Sequence, residues 1–290
     1  MSQMTRGADT HSETVGRTET GIAKTDGINI SYKIEGQGPP LLLISGLGAD
    51  KSLWRSQTGP FRKYYRTVTF DNRGVGKSDK PSGPYTTKMM ADDAAGLLDS
   101  LGIKKAHVVS VSMGGAIAQE LAINHPEKVD KLVLGCTYDG ESDEKSGTTL
   151  EGTRLVEAYE KSSKSKADML RLQLAMLDLV LNKRSYRTFI LPFMKLATRL
   201  TGKSPGGMAI PAGQMDAVET HNTADRLGTI KAPTLVICGA RDRLIKPSSS
   251  DVIASLVPGA KLQKVPGGGH GFSMENKNEF NKAVLDFLKD

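Results

Sequence analysis

Lys105-Ala-His-Val-Val-Ser-Val-Ser112-Met-Gly-Gly-Ala-Ile-Ala-Gln-Glu-Leu-Ala122 decides the fold of this chain. It opens as a short valine-rich apolar run, Ala106 to Val111, the pattern of a strand buried on both faces. It closes as a helix, with Ala116, Ile117, Glu120 and Leu121 at turn-length spacing. A strand must therefore become a helix within Ser110-Val111-Ser112-Met113-Gly114. Such a turn is tight and strained, and it needs small residues on either side of its apex. The apical side chain is pushed into the open at the positive end of a helix. A serine there, Ser112, is a nucleophile that lacks only a base; the bland alternative is a Ser/Gly-rich turn without chemistry.

Working outward, Gly21 opens a strand–turn–strand unit, Ile22 to Lys24 and then Ile28 to Ile34 with strict alternation. Gly36-Gln-Gly-Pro-Pro40 turns the chain into Leu41-Leu-Leu-Ile44, wholly apolar and therefore central in a parallel sheet. Leu53, Trp54 and Phe61 fit a helix, Tyr65 to Phe70 a strand, and Met89 to Leu101 a helix with Ala91, Ala94, Ala95 and Leu98 inward. Beyond the central stretch come strands at Val129 to Cys136, Pro233 to Gly239 and Ala260 to Val265, and a closing helix at Asn276 to Lys289. Strand and helix alternating at this pace predict a doubly wound, mainly parallel sheet.

The alternation breaks between the strands at 129–136 and 233–239. Asp139 to Ser146 is acidic and polar, and successive helices follow from Leu150. Leu170, Leu174, Leu177 and Leu181 form a stripe widened by Met176, Leu179 and Val180. Phe189 to Met194 is apolar, and Gly202 to Gly213 is a hinge rich in glycine and proline. The expected organisation is a mobile tail at 1–20, a core domain at 21–139 and 216–290, and a helical cap at 140–215.

The Ser110-to-Gly115 turn resembles the nucleophile elbow of the α/β-hydrolases, with Ser110 where the usual form has glycine. The likeness covers nearly the whole chain from Gly21 and implies an eight-stranded α/β-hydrolase sheet with an inserted helical cap. Ser45-Gly-Leu-Gly-Ala49 matches the family's loop that supplies half of an oxyanion hole. The implied donors are the backbone N–H groups of Leu47 and Met113. Many relatives carry His-Gly where this chain has Ser45-Gly46, but backbone donors do not depend on that imidazole. Asp71-Asn-Arg-Gly-Val-Gly-Lys-Ser78 resembles the family's Asp-x-Arg-Gly-x-Gly-x-Ser turn, a scaffold anchored by Asp71 and Arg73. The implied triad acid is Asp242, after the strand at 233–239, with Asp139 as the other candidate. The base is His270 in Pro266-Gly-Gly-Gly-His-Gly-Phe272. His11, His107, His125 and His221 lie outside that loop. The order Ser112, Asp242, His270 is the family's.

These residues imply a serine hydrolase acting on a small-molecule carboxylic ester, with no cofactor and no metal. Ser112 disfavours the aspartate-nucleophile chemistries, haloalkane dehalogenation and epoxide opening. Enol-lactone hydrolysis, to whose enzymes Ser112-Met-Gly-Gly-Ala-Ile-Ala-Gln-Glu120 is similar, carbon–carbon hydrolysis and cofactor-free perhydrolysis share the triad. A non-catalytic small-molecule receptor is the alternative of another class.

Composition narrows the rest. The chain of 290 residues carries a formal net charge of +7, but 11 Lys/Arg against 5 Asp/Glu fall between Leu150 and Gly207. Such a run is a solvated helix face. No interleaved aromatics or known module suggest nucleic acid. Arg184, Arg187, Lys195 and Arg199 around Phe189–Met194 would suit contact with an interface. No apolar run reaches the ~18 residues of a membrane span, and the polar start lacks a signal-peptide core, which reads as cytoplasmic. Cys136 and Cys238 end apolar runs and read as buried free thiols. No His/Cys/Asp cluster has metal-ligand spacing, and no feature fixes an oligomeric state.

Overall fold

A computed structural model describes residues 18–25, 27–140, 149–162, 165–182, 188, 192–193, 196–197, 200 and 211–290. Residues 1–17 of the tail expected at 1–20, the acidic piece from 141 to 148, most of Phe189–Met194 and the hinge up to residue 210 lie outside the described residues.

Eight strands form one sheet in the order β1-β2-β4-β3-β5-β6-β7-β8. They are β1 (Glu19–Thr25), β2 (Ile28–Glu35), β3 (Pro40–Ile44), β4 (Arg66–Phe70), β5 (Ala106–Val111), β6 (Val129–Gly135), β7 (Thr234–Gly239) and β8 (Lys261–Val265). β2 runs antiparallel to both neighbours and every other pairing from β4 to β8 is parallel. β1 starts at Glu19, which pairs with Ile34, two residues before the expected domain boundary.

The central strands are buried along most of their length because both faces are covered. Leu42, Ile44, Val68, Val108, Leu132, Leu134 and Val236 point into one core. There they meet α2 (Thr87–Ser100), α3 (Met113–Asn124) and a later helix, α7 (Pro247–Leu256). Leu41, Leu43, Val109, Val111, Val133, Leu235 and Ile237 point into the other core. That core holds Trp54, Phe61 of α1 (Arg55–Phe61), and Phe280, Val284 and Phe287 of the closing helix, α8 (Lys277–Lys289). Each such Val or Leu contributes roughly 1.5–3 kcal/mol by leaving water. In α2 the residues expected inward, Ala91, Ala94, Ala95 and Leu98, are buried. That helix begins at Thr87 rather than Met89, because Thr86 caps it by accepting the Met89 N–H at 3.1 Å.

From β3 the chain crosses to β4 on one side and later returns to β5 on the other. The strand order reverses between β3 and β5, and in open sheets ligands bind outside the carboxyl ends at such a point.

Between β6 and β7 the chain forms α4 (Leu150–Glu160), α5 (Lys166–Val180) and α6 (Ala212–Glu219). The last of these spans the boundary expected at 215/216. Leu155, Leu172, Met176, Leu179 and Met215 from these helices bury one another against Leu47 and Leu244. Those two leucines stand in the loops after β3 and β7, so Leu172, Met176 and Leu179 of α5 lie over the carboxyl end of the sheet; of the expected stripe, Met176, Leu179 and Val180 join this cluster. No helix among the described residues is long and apolar enough to cross a membrane.

Candidate active site

Ser112 caps the end of β5 with φ 57° and ψ −130°, a left-handed conformation that costs a non-glycine residue roughly 1–3 kcal/mol. Its backbone is held on three sides. The Ser112 N–H donates to Gly135 O at 2.8 Å, and its carbonyl accepts Gly115 N–H at 2.7 Å and the Thr137 hydroxyl at 2.9 Å. The turn closes only because its neighbours are small. A Cβ on Gly114 would lie 2.3 Å from Ile44 O, and one on Gly115 would lie 2.5 Å from Thr137 Cβ. Ser110, in the place of the usual glycine, is fully buried and donates its hydroxyl to Val133 O at 2.7 Å.

The structure brings Ser112, His270 and Asp242 together. His270 Nε2 lies 3.0 Å from Ser112 Oγ, and Nδ1 lies 2.8 Å from Asp242 Oδ2. Asp242 Oδ1 accepts the N–H groups of Leu244 at 2.8 Å and Ile245 at 3.0 Å, which keeps Oδ2 aimed at the ring. With the carboxylate as acceptor, Nδ1 carries the proton and Nε2 presents a lone pair to the serine. Asp139, the other candidate acid, is buried after β6, where its carbonyl accepts the Thr223 N–H at 2.8 Å. Gly239 at the end of β7 lets the loop before His270 pass close: a Cβ on it would lie 2.3 Å from Gly269 O.

The loop after β3 runs against Ser112. β3 pairs Ile44 with Ser110, and two residues on, a Cβ on Gly46 would lie 3.1 Å from Ser112 Cβ. Leu47 follows directly, half-buried. On the other side Met113 is the first residue of α3, so its N–H has no acceptor within the helix. The turn after β4 is tied down as its charges suggested. Asp71 Oδ2 accepts Lys51 Nζ at 2.6 Å and Lys77 N–H at 2.9 Å, and Arg73 makes a two-pronged bond to Asp93 at 2.6 and 2.7 Å.

The remaining histidines are engaged elsewhere. His107 packs edge-on to Tyr65 and lies 3.2 Å from Asp130, and His125 lies 2.8 Å from Asp92. His221 is buried between Thr87, at 2.9 Å, and Gln119, at 3.3 Å; burial pushes its pKa down to about 4. His11 lies outside the described residues.

Sequence reasoning missed the residues that tie the inserted helices to the site loops. Arg243, beside Asp242, makes a two-pronged bond to Glu151 of α4 at 2.9 and 3.0 Å. Asn182, just beyond α5, donates its N–H to Glu275 at 3.0 Å and its side-chain amide to Gly267 O at 3.1 Å, while Gly271 N–H donates to Val180 O at 2.8 Å. Gln214 of α6 accepts Gly48 N–H at 2.8 Å. A sequence offers no sign of such bonds, since each joins two groups far apart along the chain with no repeating pattern between them. Cys136 was expected only as a buried thiol; its Sγ also faces His270 O at 3.5 Å.

Among the described residues, Cys136, Asp242 and His270 form one group compact enough to hold a metal ion. The group does not fit that use. The facing atoms of Asp242 and His270 are spent on each other, and burial, then the Asp242 charge, push the Cys136 thiol well up, so it stays protonated.

A family model described as the alpha/beta hydrolase fold matches residues 39–277. The protein named "Putative carbamate hydrolase RutD" from Caulobacter sp. strain K31 is 30% identical over 261 residues, 86% of this chain and 90% of that one. "Putative non-heme bromoperoxidase BpoC" from Mycobacterium tuberculosis is 30% identical over 271 residues, 90% and 98% of the two chains. The crystal structure of the enol-lactonase from Burkholderia xenovorans LB400 superimposes with a TM-score of 0.78 at 26% identity, covering 93% of this chain and all of that one.

Proposed function

The chain belongs to the α/β-hydrolase fold family, and on that premise we propose that it cleaves carboxylic esters of apolar small molecules through an acyl-enzyme on Ser112. One observation carries the reading: a single imidazole bridges the hydroxyl of Ser112 and the carboxylate of Asp242, at 3.0 and 2.8 Å.

Ser112 Oγ attacks the ester carbonyl carbon as its proton passes to His270 Nε2. The carbonyl π pair moves to oxygen. Asp242 stabilises the resulting imidazolium through Nδ1–H. The oxyanion is met by the N–H groups of Leu47 and Met113, each worth on the order of 3–4 kcal/mol at the transition state. The tetrahedral centre collapses, the carbon–oxygen bond to the alcohol breaks, and His270 gives that alcohol its proton. Water then attacks the acyl-enzyme by the same route and releases the acid and free Ser112. The helices between β6 and β7 serve as the cap. Leu155, Leu172, Met176, Leu179 and Met215, gathered over Leu47 and Leu244, favour an apolar acyl or alcohol portion.

A second reading, hydrolysis of an enol lactone, is favoured by the likeness to the Burkholderia enol-lactonase. A lactone is an internal ester and uses the same steps, the alcohol staying tethered to the product.

The deciding experiment is turnover of a p-nitrophenyl ester chain-length series, with a lactone series followed by pH-stat. Ser112→Ala should abolish both activities, and a fluorophosphonate should label Ser112. Ordinary turnover by Ser112→Ala would overturn the assignment. Slow, nearly single-turnover release at every chain length would point to a receptor instead.

A further inference from the structure

Gln214 sits in the first turn of α6, in a part of the chain where the sequence shows only a hinge and a cap edge. Its side chain is wholly buried. Its two polar atoms are spent on two backbones distant in sequence. Oε1 accepts the Gly48 N–H at 2.8 Å, and Nε2 donates to the Arg73 carbonyl at 2.7 Å. The amide can be oriented only this way, because a peptide N–H only donates and a carbonyl only accepts. We infer that Gln214 is a positioning residue for the oxyanion-binding loop, an inference that rests on the acyl-enzyme reading given above.

The backbone of that loop explains why one bond there matters. Ala49 N–H donates to Gly46 O at 3.2 Å, so residues 46–49 form a β-turn with Leu47 and Gly48 at its centre. Gly48 has φ +67°, and Leu47 is not left-handed, which is the type II pattern. The neighbouring type I turn differs by rotation of the Leu47–Gly48 peptide, and that rotation swings the Gly48 N–H away. The Gly48 N–H shares a peptide with the Leu47 carbonyl, so holding it fixes ψ of Leu47 and steadies the Cα that carries the N–H that would face the oxyanion.

The support behind Gln214 is rigid. Arg73, whose carbonyl takes the other half of the amide, is locked by its two bonds to Asp93 and lies 5.5 Å over the Tyr85 ring. That ring also fills the space beside Gly213, where a Cβ would come within 2.8 Å of it. On its other flank, the loop is held by Asn72 Nδ2 donating to Ser45 O at 3.0 Å. The loop that would bind the oxyanion is thus clamped between the β4 turn and α6 of the inserted helices.

The test compares wild type, Gln214→Met and Gln214→Glu on p-nitrophenyl butyrate, alongside the affinity of an alkyl trifluoromethyl ketone that adds to the serine as an oxyanion. Met keeps the length and loses both bonds. Its kcat should fall by roughly 10- to 100-fold, as for a displaced catalytic group, while KM stays within about threefold. Affinity for the ketone should fall by the same factor as kcat/KM. Glu keeps an acceptor for Gly48 N–H and should fall between Met and wild type; should the Met variant not fold, Glu carries the comparison with wild type. If Ser112 labels fully with fluorophosphonate but kcat and ketone affinity stay near wild type, or if only KM rises, this role for Gln214 is wrong. If Ser112 does not label at all, the acyl-enzyme reading falls first and the inference goes with it.

Discussion

Gly114 lies so close under the end of β3 that a methyl group on it would stand 2.3 Å from the Ile44 carbonyl oxygen and 2.7 Å from that of Ser45. Both are backbone atoms, which cannot rotate aside. The helix that follows Ser112 is therefore drawn against the same strand end that sends out the Ser45–Ala49 loop. This approach brings the hydroxyl of residue 112 beside Gly46, and it leaves no slack in the turn.

Gly114→Ala should cost at least about 1–3 kcal/mol through overpacking, seen as a lower thermal midpoint with labelling of Ser112 lost in the same samples. Ser110→Gly is the contrasting case. It fits the turn but loses the bond to Val133 O, so it should cost about 1 kcal/mol and keep esterase turnover within a few-fold.

Asp242→Asn should fold and fail to turn over. The amide oxygen can still accept the Leu244 and Ile245 N–H groups, which turns the NH2 toward His270 Nδ1. The imidazole must then carry its proton on Nε2, where it cannot take one from Ser112. A kcat loss on the order of 10⁴-fold is expected in steady-state assays, with the melting curve little changed.

The stability should carry an acid-side dependence from His221. Burial is the main cause of its depressed pKa, about 4 against an ordinary 6.5; Glu120 and Asp139 oppose the shift and Arg226 adds to it. Above pH 6.5 the ring is neutral folded or unfolded and contributes nothing to pH dependence. Between 6.5 and 4 the unfolded chain takes up a proton that the folded one refuses, so stability falls as pH falls and the loss levels off below 4. The full effect is about 3 kcal/mol. Urea midpoints at pH 7 and 4.5 should show wild type losing more than His221→Gln, narrowing the gap between them.

Both thiols should be silent in the native protein. Burial raises the pKa of Cys136 strongly and that of Cys238 as well, so neither is a thiolate at pH 8. DTNB should titrate no thiol in the folded chain and both in guanidinium, and iodoacetamide should leave esterase activity intact. Rapid loss of activity with iodoacetamide would show Cys136 to be accessible beneath His270.

The local patterns carried far. Apolar runs at 41–44, 106–111 and 132–135 mark strands buried on both faces, because a strand between two helix layers has little polar side to show. Ser110, Gly114 and Gly115 mark the elbow, because a turn this tight excludes larger side chains whatever the rest of the chain does. Helix starts were less legible: Thr86 moved α2 by two residues through a capping bond that the alanine pattern does not contain.

What only the tertiary structure decided is which distant groups meet. Two aspartates follow strand ends, and sequence alone left Asp139 and Asp242 both open; the β7 loop is the one whose carboxylate reaches His270. Gln214, Asn182 and Arg243 were invisible in the sequence for a related reason. Burial of apolar faces repeats along a chain and leaves a period to read, whereas a single side chain bonded to a partner many residues away leaves none. The sheet and its elbow follow from repetition and local sterics, and the clamps around Ser112 follow from where the folded loops come to lie.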